Sequence, residues 1–253
     1  MTENSKKLII FDKDGTLTPS KSPIDPRMAQ LLIKLLERKK VAIISGSWFP
    51  LFQTQILSAL PNDTPNLGNL YILPVSGTRL YSWKGAWNEQ YAEHLSLLER
   101  EKIIASLNSS LRQAGYDKTE KSYGQQIEDR GSQITYSALG QNAPLDLKTA
   151  WDPSRAKREK IISFLQPKIT EFDVRIGGMT SIDITKKGVN KGYGIRKLEE
   201  FLKMPLDEMI FVGDALFHGG NDYPAKATGI DCVQVSGPEE TKKLIESWLN
   251  GNM

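Results

Sequence analysis

The sequence predicts an α/β fold, a doubly wound parallel-sheet core with an inserted α+β cap domain. Two observations predict this class. Short apolar runs alternate with segments of helical periodicity towards both ends of the chain, which is typical of buried parallel strands joined by crossover helices. In the middle of the chain this alternation gives way to a mixed α+β pattern. We therefore expect the core in residues 1–84 and 187–253 and the cap in residues 85–186.

The first part of the core opens with the apolar run from Lys7 to Phe11, which predicts a strand buried on both faces. A helix follows, in which Asp25 caps the N-terminus and Pro26 occupies the first position. The other elements expected in this part are a strand over 41–44, a helix over 51–60 and a strand over 71–75.

The cap and the last part of the core are read from turn and cap residues. Lys84 and Gly85 predict a hairpin turn, while Asp152 and Pro153 predict the cap and first turn of a helix. The core pattern resumes at Asn190, which can cap another helix. The bounds expected here are 79–87 for the hairpin, 95–111 for a helix, 133–138 for a strand, a further strand before 185, strands over 209–212 and 232–235, and a last helix after 238.

Composition excludes several classes of protein. The 253 residues are 39% hydrophobic and 25% charged with a net charge of +3, which are ordinary values for a chain that buries a core. Basic and acidic residues are interspersed, so we expect no nucleic-acid partner. No apolar run approaches the roughly 20 residues of a bilayer span, so we expect no membrane association. Cys232 is the single cysteine, which fits a reducing, cytoplasmic location.

Two carboxylates follow the first predicted strand, where ligands bind in open α/β sheets. Alternation along the backbone sends Asp12 and Asp14 to the same side while Lys13 points elsewhere, and Gly15 lets the chain turn away. Carboxylates this close need a cation, for which Mg²⁺ is the natural partner. Asp12 is the candidate nucleophile that forms an aspartyl phosphate, and Asp14 the candidate general acid and base. The alternative interpretation is an exposed Asp-Gly turn.

A second acidic motif follows the strand predicted over 209–212. Asp214 can join the same metal from a neighbouring strand, and Asp222 can bind it or orient another ligand. An ordinary Gly-Asp turn is the alternative. Two carboxylate motifs at strand ends of one sheet make a coincidence much less plausible.

Ser45 and Lys191 complete the candidate catalytic set. Ser45 ends the second predicted strand and can hold phosphate oxygens, although local pattern favours a helix cap. Lys191 follows Asn190 in the first turn of a helix, where a cation opposes the helix dipole and an anionic neighbour would justify it. A solvated lysine is the alternative interpretation.

The order of these residues resembles the four motifs of the haloacid dehalogenase (HAD) superfamily, and the insertion resembles the cap of its subfamily IIB. The closest similarity is to eukaryotic-type phosphomannomutases, through the segments FDKDGTLT, GVNKGY and GDALFHGGND. Two cap segments, EDRGSQITYSALGQ and RIGGMTSIDI, are similar to that family's substrate-binding stretches. The resemblance covers nearly the whole chain.

This resemblance implies metal ligation by Asp12, Asp14 (through its carbonyl) and Asp214. Asp222 stays a further candidate because of its place in the second acidic motif. The resemblance also implies substrate contacts from three cap residues, Arg130, Ser181 and Asp183.

The chain departs from the family pattern at several substrate-binding positions. Gln141 and Lys148 stand where arginines are expected, and Lys21 replaces an arginine after the first motif. Neither lysine nor glutamine reproduces the bidentate grip of arginine on phosphate. His218 stands in place of an expected proline, and we interpret it as a solvated loop residue.

The resemblance implies a magnesium-dependent interconversion of hexose 6-phosphate and hexose 1-phosphate, as in GDP-mannose biosynthesis, with a hexose bisphosphate activator. The expected partners are a phosphorylated sugar and a second copy of the chain, paired through the cap. A sugar-phosphate phosphatase of subfamily IIB is the alternative, which Gln141 and Lys148 favour somewhat. A non-catalytic binding module is a weaker alternative, because a binder has no use for the proton shuttle of Asp14.

Overall fold

The computed structural model describes residues 6–20, 22–116 and 121–251, and the chain forms two compact units. The first unit is Met1–Ala92 with Val189–Met253, and the second is Glu93–Gly188. The second unit therefore begins eight residues after the predicted boundary at 85. The reason is the second strand of the predicted hairpin, which pairs within the large sheet of the first unit.

Eleven strands and eight α-helices lie in the described part of the chain. The strands are β1 (Leu8–Asp12), β2 (Lys40–Ile44), β3 (Leu70–Leu73), β4 (Arg79–Trp83), β5 (Trp87–Ala92), β6 (Ile127–Asp129), β7 (Gln133–Ser137), β8 (Phe172–Gly177), β9 (Ser181–Lys186), β10 (Met209–Gly213) and β11 (Asp231–Gln234). The helices are α1 (Pro26–Leu36), α2 (Phe49–Gln55), α3 (Leu97–Ala114), α4 (Leu145–Trp151), α5 (Ala156–Leu165), α6 (Lys191–Leu202), α7 (Tyr223–Lys226) and α8 (Pro238–Leu249). None of these helices combines the length and the apolar character that a bilayer crossing requires.

The first unit is built on a seven-stranded sheet in the order β11-β10-β1-β2-β3-β4-β5. The first five strands of this order are parallel, and the hairpin β4–β5 adds two antiparallel strands at one edge. Phe11 pairs with Val212 and Asp12 with Ile44, so β1, β2 and β10 end at the same edge of the sheet. This register is what collects the polar residues that follow the three strands.

Both faces of the parallel strands are buried, as a doubly wound sheet requires. Ile9 and Phe11 point to a core shared with α1, α2 and α8, whereas Leu8 and Ile10 point to a second core shared with α6. The strands confirm the predicted fold class. Asp25 also caps α1, since its carboxylate accepts a hydrogen bond from the Met28 amide at 2.9 Å.

The second unit is a four-stranded antiparallel sheet in the order β6-β7-β9-β8 with helices on one face. Its apolar side chains pack on α3 and α5 and include Ile134, Tyr136, Ile182 and Ile184. Because side chains alternate along a strand, the other face of β7 and β9 is polar. This arrangement is the expected α+β cap.

Two predicted helices differ from the structure. The helix expected over 51–60 begins at Phe49 and ends at Gln55, and a short 3₁₀ turn follows over Leu57–Ala59. The helix expected to start at Asp152 and Pro153 starts at Ala156 instead. Asp152 still satisfies its first turn, because the carboxylate accepts hydrogen bonds from the amides of Lys157 and Arg158 at 3.0 and 3.2 Å.

Replacing Arg158 with methionine should lower the free energy of unfolding by about 3–5 kcal/mol, because Asp152 would remain as a buried charge without its partner. The two residues are each about 3% exposed, and Arg158 Nε lies 2.8 Å from Asp152 Oδ2. The guanidinium also donates to the carbonyls of Gly177 and Gly178. Urea denaturation measures the change, with Lys160→Met on the exposed side of α5 as the control. An Arg158→Met midpoint equal to that of the control would contradict this expectation.

Candidate active site

Three carboxylates meet at the edge where β1 and β10 end. Asp12 is the last residue of β1, Asp214 follows β10, and Asp222 precedes α7. One oxygen of each lies within 4.8 Å of the others. Asp222 is fixed by the amide of Ala215, which donates to its Oδ2 at 2.9 Å.

Lys191 lies among these carboxylates. It is the first residue of α6, whose cap Asn190 accepts a hydrogen bond from the Tyr193 amide at 3.0 Å. Its Nζ donates to Asp12 Oδ1 at 2.5 Å and also to Asp222 Oδ1. The ammonium is almost completely buried, so it cannot be the solvated lysine of the alternative interpretation.

Burial dominates the electrostatics of this cluster. Burial raises the pKa of Asp12 from 3.8 to about 7. The positive charge of Lys191 lowers this pKa, and the negative charge of Asp222 raises it further. Burial raises the pKa of Asp214 as well, and Asp222 adds to that increase. For Lys191, burial favours the neutral amine, but the charges of Asp12 and Asp222 outweigh it and raise its pKa. The cluster thus combines three carboxyl groups with one ammonium and is largely shielded from solvent.

The donor set fits a hard divalent cation. Carboxylate oxygens are the ligands that Mg²⁺ prefers, and an added cation would offset the excess negative charge. Gly15 leaves room for the Asp214 carboxylate, because a Cβ added at this position would lie 2.5 Å from Asp214 Oδ2. Its backbone also has a φ of +87°, which favours glycine. A substitution at Gly15 would therefore displace a candidate ligand. Thr16, which pattern analysis did not single out, places its Oγ1 3.5 Å from both Asp12 Oδ2 and Asp214 Oδ1.

Ser45 and Asp14 lie together at the same edge. Ser45 Oγ donates to Asp14 Oδ2 at 3.3 Å and accepts from the Ser47 amide at 3.1 Å. The N-cap of α2 is Trp48, so the interpretation of Ser45 as the cap of this helix is wrong. Asp14 is partly exposed, in contrast to Asp12.

Lys13 differs from its predicted orientation. Its side chain is buried, and the Nζ lies 3.1 Å from Asp14 Oδ2 and donates to Gln55 Oε1 at 2.5 Å. Backbone alternation fixes only where the Cβ points, and the long side chain returns to Asp14. The pattern of alternating residues contained no signal for this contact.

The second unit carries its own polar cluster on the open face of its sheet. Asp183 on β9 accepts hydrogen bonds from Gln133 Nε2 and Thr135 Oγ1, both at 2.8 Å. Burial raises its pKa, against the nearby charge of Arg130 and these two hydrogen bonds. Arg175 on β8 pairs in register with Asp183 and adds a second guanidinium to this face.

The remaining predicted substrate residues are placed as follows. Ser181 Oγ lies 2.9 Å from Ser137 Oγ on the same polar face, and Arg130 pairs with Glu128 at 2.8 Å. Lys148 on α4 donates to the backbone carbonyl of Gln141 at 2.7 Å, so these two departures from the family pattern adjoin each other. Lys21 lies outside the described residues.

His218 is an exposed residue of the loop after β10. Its ring packs edge-on against Tyr223, with centroids 5.4 Å apart. This contact agrees with the interpretation of His218 as a solvated loop residue.

The doubly wound sheet, the acidic edge and the inserted antiparallel unit together define the fold of haloacid dehalogenase-like proteins. A haloacid dehalogenase-like hydrolase from Bacteroides thetaiotaomicron has the same fold, with a TM-score of 0.67 and 16% identity, and the match covers 96% of this chain and 99% of that one. The sequence model for eukaryotic phosphomannomutase matches residues 28–251, and the chain belongs to this family.

Similarity to individual family members extends along nearly the whole chain. A probable phosphomannomutase of Caenorhabditis elegans is 27% identical over 252 residues, which cover 97% of this chain and 96% of that protein. A phosphomannomutase of Spinacia oleracea is 28% identical over 242 residues, which cover 93% of this chain and 93% of that protein. The protein is therefore an enzyme of the phosphomutase or phosphatase type, with a phosphomannomutase-like function.

Proposed function

We propose that the enzyme transfers a phosphoryl group through an aspartyl phosphate on Asp12 and interconverts hexose 6-phosphate and hexose 1-phosphate with Mg²⁺. The observation that carries this proposal is the position of Asp12, a buried carboxylate 2.5 Å from the Lys191 ammonium at the end of β1. A nucleophile for a dianionic phosphate needs such a cation beside it.

The chain's own groups support each step of this reaction. A carboxylate oxygen of Asp12 attacks phosphorus while the bond between phosphorus and the sugar oxygen breaks, and Asp14 gives its proton to that leaving oxygen. Lys191 offsets negative charge on the nucleophile and the phosphoryl oxygens. In the return step, Asp14 takes a proton from the accepting hydroxyl as that oxygen attacks phosphorus, and the bond between phosphorus and the Asp12 oxygen breaks to restore the carboxylate.

Mg²⁺ would be held by the carboxylates of Asp12 and Asp214, with Asp222 and the Asp14 carbonyl as further candidates. When bound, the ion supplies positive charge to the phosphoryl oxygens.

The polar face of the second unit supports a sugar phosphate as the substrate. Arg130 and Arg175 offer guanidinium groups to a second phosphate, and Ser181 and Asp183 offer hydrogen-bonding partners to sugar hydroxyls. With Lys148 bound to the carbonyl of Gln141, that pair gives a weaker grip than two arginines would. This weakness favours the second candidate, a phosphatase in which water takes the phosphoryl group from Asp12.

A product assay separates the two functions. The enzyme is incubated with Mg²⁺ and mannose 1-phosphate, with and without a hexose bisphosphate, and products are followed by ³¹P NMR. A mutase yields the 6-phosphate and is accelerated by the bisphosphate, because the bisphosphate phosphorylates Asp12 and enters the cycle as an intermediate. Inorganic phosphate without isomerisation would leave only the phosphatase, and no conversion of either kind would contradict the proposed function.

A further inference from the structure

We infer that Lys13 is a positioning residue for Asp14, and that it fixes one oxygen of this carboxylate so that the other handles the proton. This inference rests on the proposed function, in which Asp14 is the general acid and base. Lys13 belongs neither to the carboxylate cluster nor to the residues expected to bind substrate.

The burial of Lys13 is the first observation. The side chain is about 1% exposed, and an ammonium is seldom placed so deeply unless a partner offsets its desolvation. Its partners are Gln55 at the end of α2 and the carboxylate of Asp14, with the ring of Phe52 5.7 Å from the nitrogen. An uncharged residue would fill this space without a desolvation penalty. We therefore infer that the positive charge of Lys13 has a functional role.

The second observation is that two donors converge on a single oxygen of Asp14. Lys13 Nζ lies 3.1 Å and Ser45 Oγ 3.3 Å from Asp14 Oδ2. An oxygen that accepts two hydrogen bonds, one of them from a cation, is a poor place for a proton. The proton that Asp14 gives to the leaving sugar oxygen is therefore carried by Oδ1.

The same contacts also fix the position of the Asp14 side chain. Asp14 is 28% exposed, whereas its partner Lys13 is buried and is itself held by Gln55 Oε1 at 2.5 Å. The chain of contacts from α2 through Lys13 thus fixes the rotamer of a partly exposed acid. Because the Lys13 side chain is itself buried, we assign it no contact with the substrate.

The test is Lys13→Met, which keeps the length and the packing against Phe52 but removes the ammonium. With a hexose phosphate, whose leaving alkoxide needs a proton, kcat should fall by about 10–100-fold with little change in KM, since general acid catalysis contributes about 10²–10⁴-fold in all. With 4-nitrophenyl phosphate, whose leaving group departs as an anion, the single-turnover burst of nitrophenolate should change by less than about threefold. Exposed Lys34→Met is the matched control.

A double-mutant cycle with Asp14→Asn separates positioning from a general structural effect. Once the acid is gone, adding Lys13→Met should lower kcat for the hexose phosphate by less than about twofold. A loss of equal size in both backgrounds, or of equal size with both substrates, would overturn the inference. If Lys13→Met does not fold, Gln55→Leu removes the other anchor of Lys13 and should give a smaller loss with the same dependence on the leaving group. Failure of the unmodified enzyme to turn over either substrate would overturn the proposed function and this inference together.

Discussion

Asp12→Asn is expected to lower kcat by about 10⁴-fold or more, because an amide oxygen is a far weaker nucleophile towards phosphorus than a carboxylate. Turnover of the hexose phosphate and the 4-nitrophenyl phosphate burst should both be lost, since the aspartyl phosphate forms before every product in the proposed reaction. Asp63→Asn, in an exposed turn, is the matched control. Turnover of Asp12→Asn at the unmodified rate would show that the nucleophile is another group.

The same substitution should not destabilise the fold, and its effect should depend on pH in a defined direction. Folding raises the pKa of Asp12 from 3.8 to about 7, chiefly through burial. Between these values the folded protein binds more protons than the unfolded chain, so this group lowers stability as pH rises. Asparagine does not titrate. In EDTA, the melting temperature of the variant relative to the unmodified protein should therefore increase from pH 5 to pH 8, and a decrease would contradict the raised pKa.

Lys191→Met should have the second largest effect, a loss of about 10²–10³-fold in kcat, because charge on the nucleophile and phosphoryl group would lose a preorganised cation. The variant should also lose about 3–5 kcal/mol of stability in EDTA, since Asp12 and Asp222 would keep buried charge without their ammonium. Lys197→Met, further along α6, is the matched control. Thermal melts and steady-state kinetics measure the two losses.

Magnesium provides a separate readout for the Lys191 variant. Removal of the ammonium makes the carboxylate cluster more negative, so a divalent cation should stabilise Lys191→Met more than the unmodified protein. Melting temperatures over a series of MgCl₂ concentrations measure the difference. Equal shifts in the two proteins would argue against a metal site at Asp12, Asp214 and Asp222.

The core of the fold could be predicted because its strands are apolar throughout. Its helix caps could be predicted because a cap contacts residues only a few positions further along the chain. The stretch Leu8–Phe11 has no polar residue and lies between two helical layers. The membership of β5 in the large sheet could not be predicted, since it depends on contacts distant in sequence, such as Phe49 with Tyr81 and Trp87. Helix α4 gave no periodic signal because none of its residues is buried.

For the site, the reasoning from strand ends predicted the residues that the structure brings together. Asp12, Lys191 and Asp214 lie far apart in the chain, yet the parallel register leaves one edge for the groups that follow β1 and β10. Lys13 and Thr16 escaped notice because their contacts depend on side-chain conformation and on the turn after β1, which residue alternation does not describe. Roles in the reaction stay predictions until they are measured.

The position of β1 between β2 and β10 has a consequence for synthesis of the chain. One neighbour of β1 follows within about 30 residues, whereas the other emerges only after the entire inserted unit has been made. Until then β1 presents an apolar edge that can pair with other chains. Residues 93–188 have a core of their own, so that unit can fold first. The acidic cluster can form only later, because Asp214 and Asp222 lie in the last third of the sequence.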